Sequence, residues 1–193
     1  MLGRMSEPTL TATAGGPELL NPLLAQWDTS LQMLFDRLHG LTDHEYRWQP
    51  TPGAADLVER DGALVAATDA DQPTRTIAWT MAHLADMCWL RADYTDGAKS
   101  RPLGYSPFPG TAAEAMTQLR SAADRWRASV AAASAEQALQ VGYSSYPVGM
   151  DPDLPFVDIV WWVNRELIAH GADIGTIRDI YSTKADAHGP LSL

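Results

Sequence analysis

The chain has 193 residues, of which 46% are apolar and 20% charged, with one cysteine and a formal net charge of −10. This composition predicts a folded domain with a sizeable core, and one cysteine excludes both an internal disulfide framework and a zinc cluster of several cysteines. The negative charge opposes binding to nucleic acid, and no apolar run is long enough for a membrane span. Because the N-terminal residues lack the apolar stretch of a secretory signal, we expect a cytoplasmic protein.

The first half of the sequence contains two predicted helices. Residues 1–16 are small and polar and predict a flexible leader. Leucines at steps of three and four then predict a helix that ends before Gly40. The second predicted helix, from about Thr76 to Tyr94, is apolar on nearly every face, which is typical of a helix in the middle of a bundle.

The second half contains two more predicted helices. Thr111 and Glu114 have the spacing of a capping box at the start of the third helix. The fourth begins near Pro155, a residue favoured in the first helical turn. We expect residues 184–193 to form a tail.

The connections indicate how the helices are arranged. Residues 39–75 form the longest connection, and the pair Asp61 and Gly62 within it predicts a small hairpin. We therefore predict an all-α fold, a four-helix bundle with a long crossover connection between helices 1 and 2. The bundle is expected to be a single domain over residues 17–183.

Three polar side chains interrupt the apolar pattern of these helices. His170 lies on the apolar stripe of the fourth helix, with Glu166 one turn earlier, and His83 lies among alanines in the second helix. Residues four apart share one face of a helix, and a carboxylate is costly to bury unless it is paired or binds a metal. Three such ligands with an open fourth position are typical of a catalytic zinc site. Asp86 and Asp173 are candidates to orient the imidazoles.

The same residues also have a purely structural interpretation. A histidine on an apolar face is commonly a hydrogen-bonded core residue, and a Glu and a His four residues apart occur together by chance in many helices. On this interpretation Glu166 pairs with Arg165, Arg178 or His170 in a buried network.

Three segments of the sequence resemble the DinB-like superfamily. They are residues 76–84, residues 161–181, and residues 38–50, which are similar to the phrase that ends the first helix in that family. The resemblance implies a metal-binding four-helix bundle with an up-down-down-up layout, in which one histidine comes from the second helix and an i, i+4 pair from the fourth.

The presence of Glu166 where many members have histidine resembles the zinc site of the mycothiol-dependent maleylpyruvate isomerase branch. This resemblance implies that His83, Glu166 and His170 hold a divalent metal, zinc first and nickel second. It further implies a low-molecular-weight thiol such as mycothiol as co-substrate.

Further residues are candidates for a substrate or cofactor pocket: Trp79, Trp162, Arg178 and Tyr146. Core packing is the alternative role for the tryptophans, and a surface ion pair is the alternative for Arg178. Cys88 lies on an apolar helix and is expected to be a buried filler with no role as a nucleophile.

The leading functional hypothesis is a metal-dependent thiol S-transferase or related isomerase that acts on a small electrophilic molecule. A metal-dependent hydrolase is chemically close to it. The other alternative is a stress-response bundle without enzymatic activity that binds metal or a ligand, or that forms a homodimer through an exposed helix face.

Overall fold

A computed structural model describes residues 16–68, 72–102, 106–145 and 153–187. The described part is mostly helical, which confirms the all-α class. It contains four long helices: α1 (Gly16–Leu38), α3 (Ile77–Asp96), α4 (Ala112–Ala132) and α6 (Phe156–Ala187). Two short helices and two strands lie between them: α2 (Asp43–Tyr46), α5 (Ala135–Leu139), β1 (Leu57–Arg60) and β2 (Ala63–Ala66).

Helices α1 and α6 run in the same direction. At one end the amide of Asn164 donates to the backbone oxygen of Leu23 at 2.8 Å, and at the other Arg37 pairs with Asp179 at 3.3 Å. Residue numbers therefore increase together along the two helices.

Helix α4 runs against α1, and α3 runs against α6. Contacts between α1 and α4 join Asp28 to Arg127 and Phe35 to Arg120, so one set of numbers rises as the other falls. Between α3 and α6 the contacts join His83 to His170 and Arg91 to Trp162. The four long helices consequently have the up-down-down-up arrangement that the resemblance implied.

The connections between the long helices differ in length and course. Residues 39–76 form the longest one, as predicted, and contain α2 and the hairpin. Because α3 and α4 are parallel, the end of α3 and the start of α4 lie at opposite ends of the bundle. In the connection between them, the backbone N–H of Phe108 donates to the carbonyl of Leu64 at 2.8 Å.

The predicted hairpin is confirmed. Strands β1 and β2 pair in antiparallel register, and Asp61 and Gly62 between them have φ values of 53° and 78°. Positive φ at both central residues is the requirement of a type I′ turn, which glycine and aspartate satisfy at low cost.

The predicted capping box of α4 is wrong. Thr111 precedes the helix, but its hydroxyl donates to the carboxylate of Glu114 at 2.7 Å and accepts no backbone N–H. The carboxylate of Asp43 takes that role from a distant part of the chain, accepting the N–H of Ala112 at 2.7 Å. A true capping box occurs in α5, where Ser134 and Gln137 bond reciprocally.

The core lies between the four long helices. Its largest side chains that are almost completely buried include Trp27, Trp126, Tyr46 and Phe156. No helix in the described ranges combines the length and apolarity needed to cross a membrane.

Some predicted features fall outside or at the edge of the described residues. Residues 1–15 of the predicted leader lie outside the described residues, and Gly16 is the first residue of α1. Tyr146 also lies outside the described residues. Helix α6 continues to Ala187, so residues 184–187 of the predicted tail are helical. The division into one domain with a leader and a tail stays a prediction.

Candidate metal centre

The start of α3 is anchored by side chains, and this fixes the position of His83 in its second turn. Thr76 caps the helix, because its hydroxyl oxygen accepts the N–H of Trp79 at 3.1 Å and its O–H donates to Asp56 at 2.8 Å. The guanidinium of Arg47 in turn binds both oxygens of Asp56, at 2.7–2.9 Å. Capping of this kind stabilises a helix end by about 1 kcal/mol.

His83, Glu166 and His170 converge where α3 and α6 pack against each other. One ligand atom from each lies within 4.8 Å of the other two. Nε2 of His170 is 3.6 Å from Oε2 of Glu166, and the two imidazole rings have centroids 4.9 Å apart at 77°. The side chains of His170 and Glu166 are only 13% and 19% exposed, so the group is largely shielded from water.

The hydrogen bond of His170 to Asp173 defines its tautomer. Nδ1 of His170 is 3.3 Å from a carboxylate oxygen of Asp173. A carboxylate can only accept, so Nδ1 carries the hydrogen. In the neutral ring this leaves the lone pair of Nε2 directed toward Glu166, an arrangement in which two acceptors face each other.

His83 is neutral at pH 7. Burial, followed by the nearby His170, lowers the pKa of His83 from 6.5 to about 4, although the carboxylate of Glu166 acts in the opposite direction. Its ring stacks on Trp79 with a centroid distance of 5.1 Å and an interplanar angle of 11°. At pH 7 His83 therefore offers a lone pair without having to lose a proton.

The donor set fits a divalent metal ion. Two imidazoles and one carboxylate converge, and these are the ligand types that zinc accepts. The structural alternative is present beside it, because Arg165 donates to Glu166 at 2.9 Å. That bond uses Oε1 and leaves Oε2 facing His170.

Comparison with models of known protein families identifies the superfamily of this chain. A sequence model described as the DinB superfamily matches residues 26–174, a range that starts in α1 and ends beyond His170 in α6. The chain belongs to the DinB superfamily. Searches of curated proteins and of solved structures gave no match. Family membership covers the bundle and leaves open which branch of the DinB superfamily the chain represents.

The predicted pocket residues are only partly brought together in this member of the DinB superfamily. Trp79 lies against His83, with its indole N–H donating to the carbonyl of Ala67 at 2.8 Å. Trp162 is half-buried one turn before Glu166, with the guanidinium of Arg91 5.2 Å from its ring.

Arg178 is held away from these residues. Its guanidinium binds both oxygens of the buried Glu45 at 2.8 and 3.1 Å and also donates to the backbone oxygens of Arg37 and His39. The structure therefore contains an ion pair for Arg178, but a largely buried one and not the surface pair of the alternative. This pairing also removes Arg178 as a partner for Glu166.

Two further predictions concern α3. The carboxylate of Asp86 accepts the backbone N–H of Ser106 at 3.0 Å, so it anchors the connection before α4 and does not orient His83. Burial raises the pKa of the Asp86 carboxyl above its usual range. Cys88 is buried, which confirms its predicted position in the core, and burial raises the pKa of its thiol.

A cleft of about 320 Å³ lies one helical turn away from His83 and from His170, and its walls do not include the three candidate ligands themselves. Its walls include Thr80, one turn before His83, and Asp173, one turn after His170. Arg75 also lies in the wall of the cleft. The sequence pattern does not indicate this residue, because it lies in a connection, outside any helical periodicity. The one indication in the sequence was that Arg75 lies four residues before Trp79, the aromatic residue that it contacts.

Proposed function

We propose that this protein is a divalent-metal-dependent enzyme, a thiol S-transferase or related isomerase that acts on a small electrophilic molecule. One observation carries the proposal: His83, Glu166 and His170 place three ligand atoms within 4.8 Å of one another in a shielded position, one helical turn from a cleft. In the described part of the chain, no fourth His, Cys or carboxylate joins this group. Three protein ligands with a free position are typical of catalytic zinc.

Each residue has a defined task in this proposal. Asp173 holds the hydrogen of His170 on Nδ1, and the stacked Trp79 holds the ring plane of His83. Glu166 supplies the negative charge that offsets part of the charge of a cation. A bound divalent cation supplies a Lewis acid that lowers the pKa of a thiol or water beside it. The cleft then holds the electrophile within reach.

The proposal includes its partners and location. We propose zinc as the metal, with nickel as the alternative, and a low-molecular-weight thiol of the mycothiol type as co-substrate. The DinB-superfamily fold supports metal binding but leaves the thiol open. We further propose a cytoplasmic location without nucleic-acid or membrane partners, supported by the net charge of −10 and the single buried thiol of Cys88.

Metal stoichiometry tests the first part of the proposal. Purified protein is stripped with a chelator, loaded with zinc, desalted and assayed by elemental analysis. We expect about one zinc per chain in the wild type and a small fraction of that in the double variant His83→Ala/His170→Ala. His39→Ala removes an exposed histidine and serves as the matched control. Equal zinc content in all three proteins would contradict the assignment of ligands.

Thiol dependence tests the second part. Zinc-loaded protein is mixed with mycothiol, bacillithiol or glutathione and a generic electrophile, and thiol consumption is followed. We expect zinc-dependent conjugation with one of the thiols and none in the double variant. Conjugation with no thiol, together with zinc-dependent hydrolysis of an activated ester, would replace the transferase with the hydrolase alternative.

A second candidate, binding without catalysis, is favoured by one observation. Trp161 on α6 is 54% exposed, an unusual position for a large aromatic side chain. An exposed tryptophan is expected if this face forms a homodimer. Light scattering of wild type and Trp161→Ser tests this candidate: a dimer that becomes a monomer in the variant supports it, and a wild-type monomer opposes it.

A further inference from the structure

Arg75 places a positive charge beside the candidate metal centre. The central carbon of its guanidinium lies 4.6 Å from the ring centroid of Trp79, and the same ring stacks on His83 at 5.1 Å. Arg75 is half-buried in the wall of the cleft. One aromatic ring thus touches both the cation and a candidate ligand.

The charge of Arg75 is not matched by an acidic side chain within the described ranges. Other arginines have such partners: Arg47 pairs with Asp56, Arg127 with Asp28. Among described residues, Arg75 forms no ion pair, and its side chain contacts the face of Trp79. A half-buried guanidinium offers five N–H donors in a planar fork that matches a carboxylate.

The rest of the cleft suits a small molecule with one anionic end. Its volume of about 320 Å³ is at the lower end of the range for small-molecule sites. Ile177 and Ile180 supply apolar surface, and Thr80 and Thr176 supply hydroxyls. Among the residues that the structure describes, the one acidic side chain in its wall is Asp173, which lies 3.3 Å from His170.

We infer that Arg75 binds the carboxylate of a small ligand whose other end reaches His83, Glu166 and His170. The inference rests on the proposed function and specifies its substrate class: a monocarboxylate carried by either the thiol or the electrophile. The physical reason is local charge. In a protein of net charge −10, with Asp173 in the wall of the cleft, the guanidinium of Arg75 reduces the repulsion that an anion meets at this end of the cleft.

A matched series of thiols tests the inference by spectroscopy. Cobalt-loaded protein is titrated with 3-mercaptopropionate, 2-mercaptoethanol and cysteamine, which carry a negative, a neutral and a positive end. Binding of each thiol is followed by the absorption band of the cobalt–thiolate bond. We expect wild type to bind 3-mercaptopropionate about tenfold more tightly than 2-mercaptoethanol, and cysteamine most weakly.

Variants of Arg75 separate charge from structure. In Arg75→Gln we expect the preference for 3-mercaptopropionate to fall below twofold, with cobalt affinity and binding of 2-mercaptoethanol unchanged. Arg75→Lys should keep part of the preference, because it keeps the charge without the planar fork. Arg60→Gln removes the same charge from an exposed position on β1 and should behave as wild type. A preference that survives in Arg75→Gln overturns the inference.

Metal-free protein provides a test that does not depend on the metal. The side-chain Nε–H signal of Arg75, assigned by its absence in Arg75→Lys, is followed by NMR during titration with propionate. A saturable shift with propionate, and none with 1-propanol, supports carboxylate binding by Arg75. No shift with propionate overturns it. Failure of cobalt to bind, with the propionate shift present, would instead refute the proposed metal-dependent function.

Discussion

The titration of His83 makes the stability of the metal-free protein depend on pH. In the folded state burial, followed by the nearby His170, lowers the pKa of His83 to about 4, whereas the unfolded chain has the ordinary value of 6.5. Between these two pH values the unfolded state binds more protons than the folded state. The free energy of unfolding therefore rises with pH across this window and falls as the solution is acidified.

The size of the effect follows from the difference between the two pKa values. The difference is about 2.5 pH units, and each unit corresponds to about 1.4 kcal/mol. We expect His83 to cost about 2 kcal/mol of stability on going from pH 7 to pH 5, and about 3 kcal/mol by pH 4. Above pH 6.5 the contribution is constant.

Urea unfolding of wild type and His83→Gln isolates this contribution. Both proteins are stripped of metal, and the free energy of unfolding is measured from pH 7 to pH 4.5. Carboxylates titrate in both proteins, so the difference between the two curves reports His83 together with its coupling to His170 and Glu166. We expect wild type to lose stability more steeply below pH 6.5. Parallel curves would show that burial does not lower the pKa of His83. His83 would then have to lose a proton before binding a metal in mildly acidic solution.

Three further predictions follow from other contacts. Asp173→Ala should weaken zinc affinity about tenfold in a chelator competition, because the imidazole of His170 loses the carboxylate that orients it. Thermal stability should not change, because the side chain of Asp173 is exposed. An unchanged zinc affinity would show that Asp173 does not orient His170. Arg178→Met should lower the free energy of unfolding by about 3 kcal/mol in urea, since it leaves the carboxylate of Glu45 buried and unpaired. The zinc stoichiometry of this variant should match that of wild type. A loss of zinc would show that Arg178 takes part in the candidate metal centre. Trp126→Ala should cost about 3–5 kcal/mol in the same assay because its ring is 1% exposed; a cost below 1 kcal/mol would mean that the core is repacked.

Local patterns in the sequence were sufficient for the long helices and the hairpin. A helix four turns long that buries one face must repeat its apolar residues every three or four positions, and this periodicity can be read without knowing the partner helix. The turn at Asp61 and Gly62 is equally local, because positive φ is a property of the residues themselves. The capping box at Thr111 is absent because the Thr111 hydroxyl donates to the carboxylate of Glu114. The first N–H of the helix, that of Ala112, is bound by Asp43, which is far away in the sequence.

The candidate site was predictable only in part. A histidine and a glutamate four residues apart on an apolar stripe indicate a shared face, so Glu166 and His170 follow from one helix alone. The proximity of His83 to them depends on how α3 and α6 pack. The resemblance to the DinB-like superfamily implied this proximity, and the structure contains it.

By itself the sequence determined the elements of this protein, because helical periodicity and turn conformation are properties of neighbouring residues. Only the tertiary structure decided which charges meet. The sequence analysis offered Arg178 as a partner of Glu166, but the two lie twelve residues apart on α6, about 18 Å along the helix axis. The packing of α6 against the end of α1 brings Arg178 to Glu45 instead. Arg75 lies in a connection without periodicity, and only the folded chain brings it to Trp79 and the cleft. Electrostatic contacts depend on distance in space, which the order of residues does not contain.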